Sequence, residues 1–171
     1  MIYGNPLDFA VWIDEVPSWT YEVLIDNLKP FTSIEGLILI IIDGKFFTPD
    51  IGAVCTLQSH LHDLKRALKG IESGVTEVAN DIGKDELYRN GYFSRYVGDF
   101  VGRTGMGVEI ECDLINRTHW TFYLFSSGEQ ERLVYSQNYG DTVFEKILMH
   151  GTVMDVLKSL PTSPEFLRKP V

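Results

Sequence analysis

The chain has 171 residues, a length typical of one domain, and we expect a single domain over residues 1–171 with a loose tail at residues 164–171. Its formal net charge of −9 at pH 7 argues against direct binding to nucleic acid, because that binding needs cations to neutralise phosphates. Hydrophobic residues make up 44% of the chain, enough to build a buried core and to exclude global disorder.

The N-terminal part of the chain predicts strands. Apolar residues alternate with others between Phe9 and Val16, which is typical of a half-buried strand. The continuous apolar run Leu37–Ile42 indicates a central strand that is covered on both faces. Asp43-Gly44 then favours a two-residue type I′ turn into Lys45–Phe47, because both central residues of that turn need positive φ. Between these strands, we expect a short helical or irregular stretch over residues 18–28.

Two helices are predicted in the middle of the chain. Leucines spaced by four, three and four residues form one helical stripe between Thr56 and Lys69, with Thr56 as the N-cap and Gly70 as the stop. A second helix is expected over about residues 85–97. A glycine-rich loop follows at residues 98–107.

The C-terminal part predicts further strands and one last helix. The strands are expected over Val108–Ile115, His119–Phe125, Leu133–Gln137 and Thr142–Met149, with a hairpin loop at Ser126–Glu129. Thr152 is expected to cap a helix over Val153–Leu160, which Pro161 ends. Together, the elements predict an α+β fold with an antiparallel sheet and a few helices packed on one face.

Sequence signals for cofactor, metal or membrane binding are weak. The glycine-rich loop lacks the Lys-Ser/Thr of a phosphate-binding loop, and His60 and His62 lie too close together for a helical metal pair. We therefore expect no cofactor and no metal. The longest apolar run has six residues, whereas a membrane span needs about 20. We expect a cytoplasmic protein without membrane contact.

Acidic side chains provide two candidate partner-binding sites. In the predicted strand at Val108–Ile115, Glu109, Glu111 and Asp113 share one face at a spacing of about 6–7 Å. They form either a solvated face or a contact with cationic groups of a partner. The competing site is N-terminal, where Asp14 and Glu22 flank Trp19. Tryptophan with an acidic rim suits partner binding.

A catalytic alternative uses the same acids. Carboxylates of the Glu109–Asp113 strand, with a histidine such as His119, could serve a small hydrolase as general acid and base. A concave site where these groups converge with shifted pKa values would favour this enzyme.

The N-terminal segment carries a family resemblance. The opening MIYGNPLDFA, Trp19 and the hairpin Ile42-Asp43-Gly44-Lys45 resemble bacterial immunity proteins of polymorphic-toxin and contact-dependent growth inhibition systems. The resemblance implies no enzyme activity. It implies a small acidic protein that binds the C-terminal domain of one cognate toxin, and we expect this domain to be basic, a nuclease that acts on tRNA or other RNA. The motif residues Gly4, Pro6, Phe9, Trp19 and Gly44 are expected to be structural.

Overall fold

The computed structural model describes residues 1–15, 21–23, 31–47, 55–74, 76–96, 105–110 and 120–162. Within these residues the chain forms eleven strands and three α-helices, which confirms the α+β class. The strands are β1 (Ile2–Asn5), β2 (Phe9–Glu15), β3 (Tyr21–Val23), β4 (Phe31–Ser33), β5 (Glu35–Ile42), β6 (Lys45–Phe47), β7 (Cys55–Thr56), β8 (Val108–Glu109), β9 (Thr121–Ser127), β10 (Gln130–Gln137) and β11 (Thr142–Met149). The helices are α1 (Leu57–Glu72), α2 (Lys84–Tyr96) and α3 (Thr152–Ser159).

The first sheet is built around β5, as the apolar run predicts. Its order is β1-β2-β5-β6, β7 also pairs with β5, and all pairs are antiparallel. Ile38, Ile40 and Ile42 enter the main core, while Leu39 and Ile41 are buried on the opposite face. The central position and the two covered faces are therefore both confirmed.

The turn after β5 also follows the prediction. Asp43 has φ 52° and Gly44 has φ 70°, so both central residues adopt the left-handed conformation that a type I′ turn requires. Of the motif residues, Phe9 is fully buried in the main core. Gly4 has φ +95°, and a Cβ there would lie 2.6 Å from the Val156 side chain. These three motif positions are structural, as expected.

The second sheet is covered on both faces. Its order is β11-β10-β9-β8, again antiparallel. One face, with Phe122 and Leu133, joins the main core together with the first sheet, α1 and α3. The other face packs Tyr123 and Val134 against Leu87 of α2. The glycine of α2, Gly91, permits this contact, since a Cβ there would lie 2.4 Å from the Tyr123 ring.

Helix α1 begins where the sequence predicts and ends two residues beyond the predicted stop. Helix α1 continues past Gly70 to Glu72. Position 70 requires a glycine for close packing, because an added Cβ would lie 2.9 Å from the Val108 side chain. Thr56 does occupy the N-cap position, but its hydroxyl donates to the Glu35 carboxylate (3.0 Å) instead of capping the helix. Long-range contacts, which local spacing does not reveal, decide both positions.

Two further predictions need correction, and some others fall on residues outside the described ranges. Tyr21–Val23 is a strand paired with β4, so the helical expectation there was wrong. The β9–β10 hairpin turns at Gly128–Glu129 only, because Ser126 and Ser127 belong to β9. Residues 24–28, 98–104, 111–115 and the tail at 164–171 lie outside the described residues.

Candidate partner-binding surface

The structure describes only part of the acidic strand that the sequence proposes as a binding site. Glu109 is half-buried at the end of β8, between buried Val108 and buried Ile110, so the first steps of the predicted alternation are present. Ile110 extends the pairing by donating its N–H to the Phe122 carbonyl (2.9 Å). Glu111 and Asp113 lie outside the described residues, as does His119 of the catalytic alternative.

The N-terminal candidate site is also described in part. Asp14 is exposed on β2, opposite Leu37 of β5. Glu22 belongs to β3, whose backbone alone is described, and Trp19 lies outside the described residues. Asp14 and Glu109, the two acids whose side chains are described, stand in different sheets.

A buried carboxylate that the sequence analysis missed holds the N-terminus of α3. Glu131 is 1% exposed, and its two oxygens accept hydrogen bonds from the N–H groups of Gly151 (2.9 Å) and Val153 (2.8 Å). Gly151, with φ 88°, is the N-cap, and Thr152 only donates to the Met149 carbonyl. The predicted cap at Thr152 was therefore wrong. The local sequence does not mark this role, because β10 also carries the polar residues Gln130 and Arg132 next to Glu131.

The surroundings of Glu131 form a cavity of about 190 Å³, which also contains His150 and Ser126. Burial raises the pKa of the Glu131 carboxyl, while the two backbone N–H groups and nearby His150 act in the opposite direction. A carboxylate whose two oxygens both bind a helix N-terminus stabilises that helix. We therefore assign Glu131 to the fold, and Glu109, the described carboxylate of the catalytic alternative, does not line this cavity.

A groove of about 300 Å³ lies where β6 of the first sheet meets β10 and β11 of the second. We call it the aromatic groove, and it is lined by Lys45, Phe46, Phe47, Trp120, Tyr135 and Phe144. Its rings pack closely, with centroids 4.9 Å apart for Phe47 and Trp120 and 5.5 Å apart for Tyr135 and Phe144. Phe46 and Phe144 remain 53% and 42% exposed, so the groove presents apolar surface to solvent.

A second groove, of about 250 Å³, lies on the other face of the same sheet. We call it the tyrosine groove, and it is lined by Asp85, Tyr88, Arg89, Tyr92, Phe93, Tyr139, Gly140 and Val143. Asn138, Tyr139 and Gly140 have φ of 58°, 59° and 102°, three successive left-handed residues. Such strain at a non-glycine residue persists only where the surroundings hold it. This backbone conformation places Tyr139, whose side chain is 58% exposed, beside the ring of Tyr92.

Ion pairs fix the strand between the two grooves. Lys146 of β11 contacts Asp43 (2.5 Å) and Asp8 (3.7 Å), which ties the strand to the first sheet. The Asp43 carboxylate, as hydrogen-bond acceptor, raises the pKa of Lys146. On the other face, Arg132 donates to Glu145 (2.6 Å) and to the Ile82 carbonyl (2.7 Å).

The described residues form neither a metal-binding cluster nor a membrane-spanning helix. No group of three His, Cys, Asp or Glu side chains there is arranged to hold a metal ion. No helix in the described ranges is both long and apolar enough to cross a membrane.

Exposed aromatic and aliphatic side chains that line grooves beside a sheet edge are typical of a domain that binds another protein. Comparison with solved structures gives the same architecture. CdiI from Burkholderia dolosa AUO158 superposes with a TM-score of 0.66 at 20% sequence identity, over 92% of this chain and 96% of that chain. This likeness establishes a shared fold.

The sequence itself gives the family. Residues 1–163 match the family described as Immunity protein 42, and the chain belongs to that family of immunity proteins. The resemblance seen in the N-terminal motif is thereby confirmed, and the toxin-neutralising function that it implied applies to the family as a whole. A search of curated proteins found no match.

Proposed function

We propose that this chain is the immunity protein of a contact-dependent growth inhibition system and acts in the cytoplasm. It binds the C-terminal domain of one cognate toxin and blocks the toxin's active site by stoichiometric occlusion, without turnover of its own. The observation that carries this proposal is the match to an immunity-protein family over residues 1–163.

The chemistry of the toxin follows from charge. The chain carries a net charge of −9, and an inhibitor of this sign complements a basic surface. Nucleases hold phosphates in basic clefts, so a nuclease that acts on tRNA or other RNA is the target that fits best. Charge complementarity of this kind also accelerates association.

Two acidic sites are candidates for contact with those basic groups. The first is the strand with Glu109, Glu111 and Asp113. The second is the N-terminal segment with Asp14, Trp19 and Glu22. Both belong to the proposal, and the first is the favoured one, because alternation along the strand places its three acids on one face.

The proposal is tested by titration. The cognate toxin domain is purified and assayed on tRNA, other RNA and DNA while the chain is added stepwise. We expect nuclease activity to fall linearly and to reach zero at one equivalent. Full inhibition far below one equivalent would indicate turnover and contradict occlusion. A toxin domain without nuclease activity would contradict the choice of target.

A further inference from the structure

Among the described residues, strand β11 is an edge strand, and a row of its backbone groups faces away from the neighbouring strand. Within the described chain it pairs with β10 alone. His150 donates its N–H to the Glu129 carbonyl (3.0 Å), and this pair continues the β10–β11 register by one residue. In an antiparallel ladder, residue pairs that exchange hydrogen bonds alternate with pairs that do not. The backbone groups that point away from β10 therefore belong to Val143, Glu145, Ile147 and Met149.

Exposed apolar side chains concentrate around this edge. The large hydrophobic side chains that are exposed in the described residues are Met1, Ile2, Leu7, Phe46, Phe93, Tyr139, Phe144, Ile147 and Met149. Three of them stand on β11, among them Met149 at 80% and Ile147 at 54% exposure. Tyr139 lies in the turn before β11, and Phe46 and Phe93 line the two grooves beside it. An open edge with exposed apolar side chains is a template for another strand.

The two grooves lie on opposite faces of this edge. Phe144 of β11 lines the aromatic groove on the face toward the main core, and Val143 lines the tyrosine groove on the face toward α2. Side chains of a strand added to β11 would point alternately to the two faces. Such a strand would gain affinity from its backbone and specificity from the two grooves, which is how peptide addition to a sheet edge works.

The charges of β11 disfavour a second copy of the chain as the added strand. Antiparallel pairing of two β11 strands about their middle would set Glu145 opposite Glu145 or Lys146 opposite Lys146. Like charges directly opposite each other destabilise a strand pair. The net charge of −9 also opposes self-association and favours a cationic partner. Asp85 and the adjoining Asp141, both exposed, add acid at the tyrosine groove, where Arg89 is the one cation among the described lining residues.

We propose that β11 binds an extended segment of the cognate toxin domain by β-strand addition. The segment directs an apolar side chain into the aromatic groove, and Lys or Arg residues flank it near Asp85 and Asp141. This inference rests on the proposed function and names the contact that holds the complex. β8, with Glu109, is the opposite edge of the same sheet, about 14 Å away at three strand spacings. An interface of ordinary size spans both edges, so the acids can guide encounter while β11 holds the partner.

Amide hydrogen exchange tests the inference on the intact chain, alone and saturated with the purified toxin domain. In the free chain, we expect the amides of Val143, Glu145, Ile147 and Met149 to exchange rapidly, while those of Phe144 and Lys146 are already protected by β10. In the complex, the four outward amides should slow by about tenfold or more, as for amides that acquire a stable partner. A complex that forms and leaves all four amides unchanged would overturn strand addition and leave the proposed function intact. Absence of any complex would overturn both.

A matched pair of variants tests the same contact by affinity. Ile147→Pro removes one outward N–H at an edge position where proline is tolerated, whereas Ile147→Ala keeps the N–H and loses the same side chain. We expect the proline variant to bind the toxin domain about tenfold more weakly than the alanine variant, with both retaining the wild-type circular dichroism spectrum. Equal affinity of the two folded variants would overturn the inference. If the proline variant does not fold, the exchange experiment on the wild-type chain decides.

Discussion

The carboxylate of Glu131 accepts a hydrogen bond from the N–H of Val153 at 2.8 Å, across 22 residues of sequence. A second hydrogen bond, from the N–H of Gly151, completes the cap. The N-cap residue Gly151 makes no side-chain cap hydrogen bond of its own. The opposite end of α3 is held in a similar way, because the Lys65 ammonium donates to the carbonyls of Leu157 and Leu160. Residues from β10 and α1 thus fix both ends of α3.

Removal of the Glu131 cap should destabilise the whole domain. In Glu131→Ala, the buried N–H groups of Gly151 and Val153 lose their acceptor, and we expect the free energy of unfolding at pH 7 to fall by about 1–3 kcal/mol. Urea denaturation measures this change. Glu129→Ala is the matched control, since Glu129 is an exposed acid of the same hairpin and should change stability by less than about 0.5 kcal/mol. Equal effects of the two variants would contradict the cap.

The same carboxyl should make stability depend on pH. Burial raises the pKa of Glu131 above its ordinary value of 4.5, so the folded chain holds this proton more tightly than the unfolded chain. The stability that this group contributes is therefore complete below pH 4.5 and declines as the pH rises through the raised pKa. Glu131→Gln has no such proton. We expect the unfolding free energy of the wild type, relative to this variant, to decrease from pH 4 to pH 8. A relative increase over that range would contradict the raised pKa.

How far the sequence predicts the fold depends on how local each signal is. Period and turn chemistry identify β5, the Asp43-Gly44 turn and β11, because the residues that determine them are neighbours in the chain. They do not reveal that Gly70 faces Val108, nor that Glu131 caps α3, because both partners come from distant segments.

The binding surface shows the same limit. The strand at Thr142–Met149 is predictable, but its sequence does not disclose whether it is central or at an edge. That Ile147 and Met149 are exposed is seen only in the structure, where β11 is outermost among the described strands of its sheet. Aromatic clustering before and within β9 is visible in the sequence. The contact of Trp120 with Phe47 is not, because it depends on how the two sheets pack against each other.

Close packing of α2 against the Tyr123 ring requires a small residue at Gly91. Glycine to alanine in a helix interior usually stabilises by about 1 kcal/mol. Here the added Cβ would lie 2.4 Å from the fully buried Tyr123 ring, and overpacking costs about 1–3 kcal/mol, so we expect Gly91→Ala to lower the melting temperature. Arg89→Ala, at an exposed position of the same helix, should leave the melting temperature nearly unchanged. A stabilised Gly91→Ala variant would show that α2 packs less closely.

The acidic strand gives a prediction about the partner. The triple variant Glu109→Ala, Glu111→Ala and Asp113→Ala should associate with the toxin domain more slowly, and added salt should slow the wild type toward the same rate, since about 0.15 M salt screens charges beyond roughly 8 Å. Stopped-flow fluorescence measures both. An unchanged rate in a variant with wild-type melting temperature would remove this strand from the interface. It would favour the segment with Asp14, Trp19 and Glu22.

Immunity through a stable complex is the central claim, and it is tested most directly in cells that produce the toxin domain with and without this chain. We predict that cells with the chain survive and that affinity purification of the toxin domain recovers the chain in equal molar amount, with the toxin domain chemically unaltered. Death of cells that contain the folded chain, or survival with a cleaved or modified toxin domain and no complex, would contradict this account.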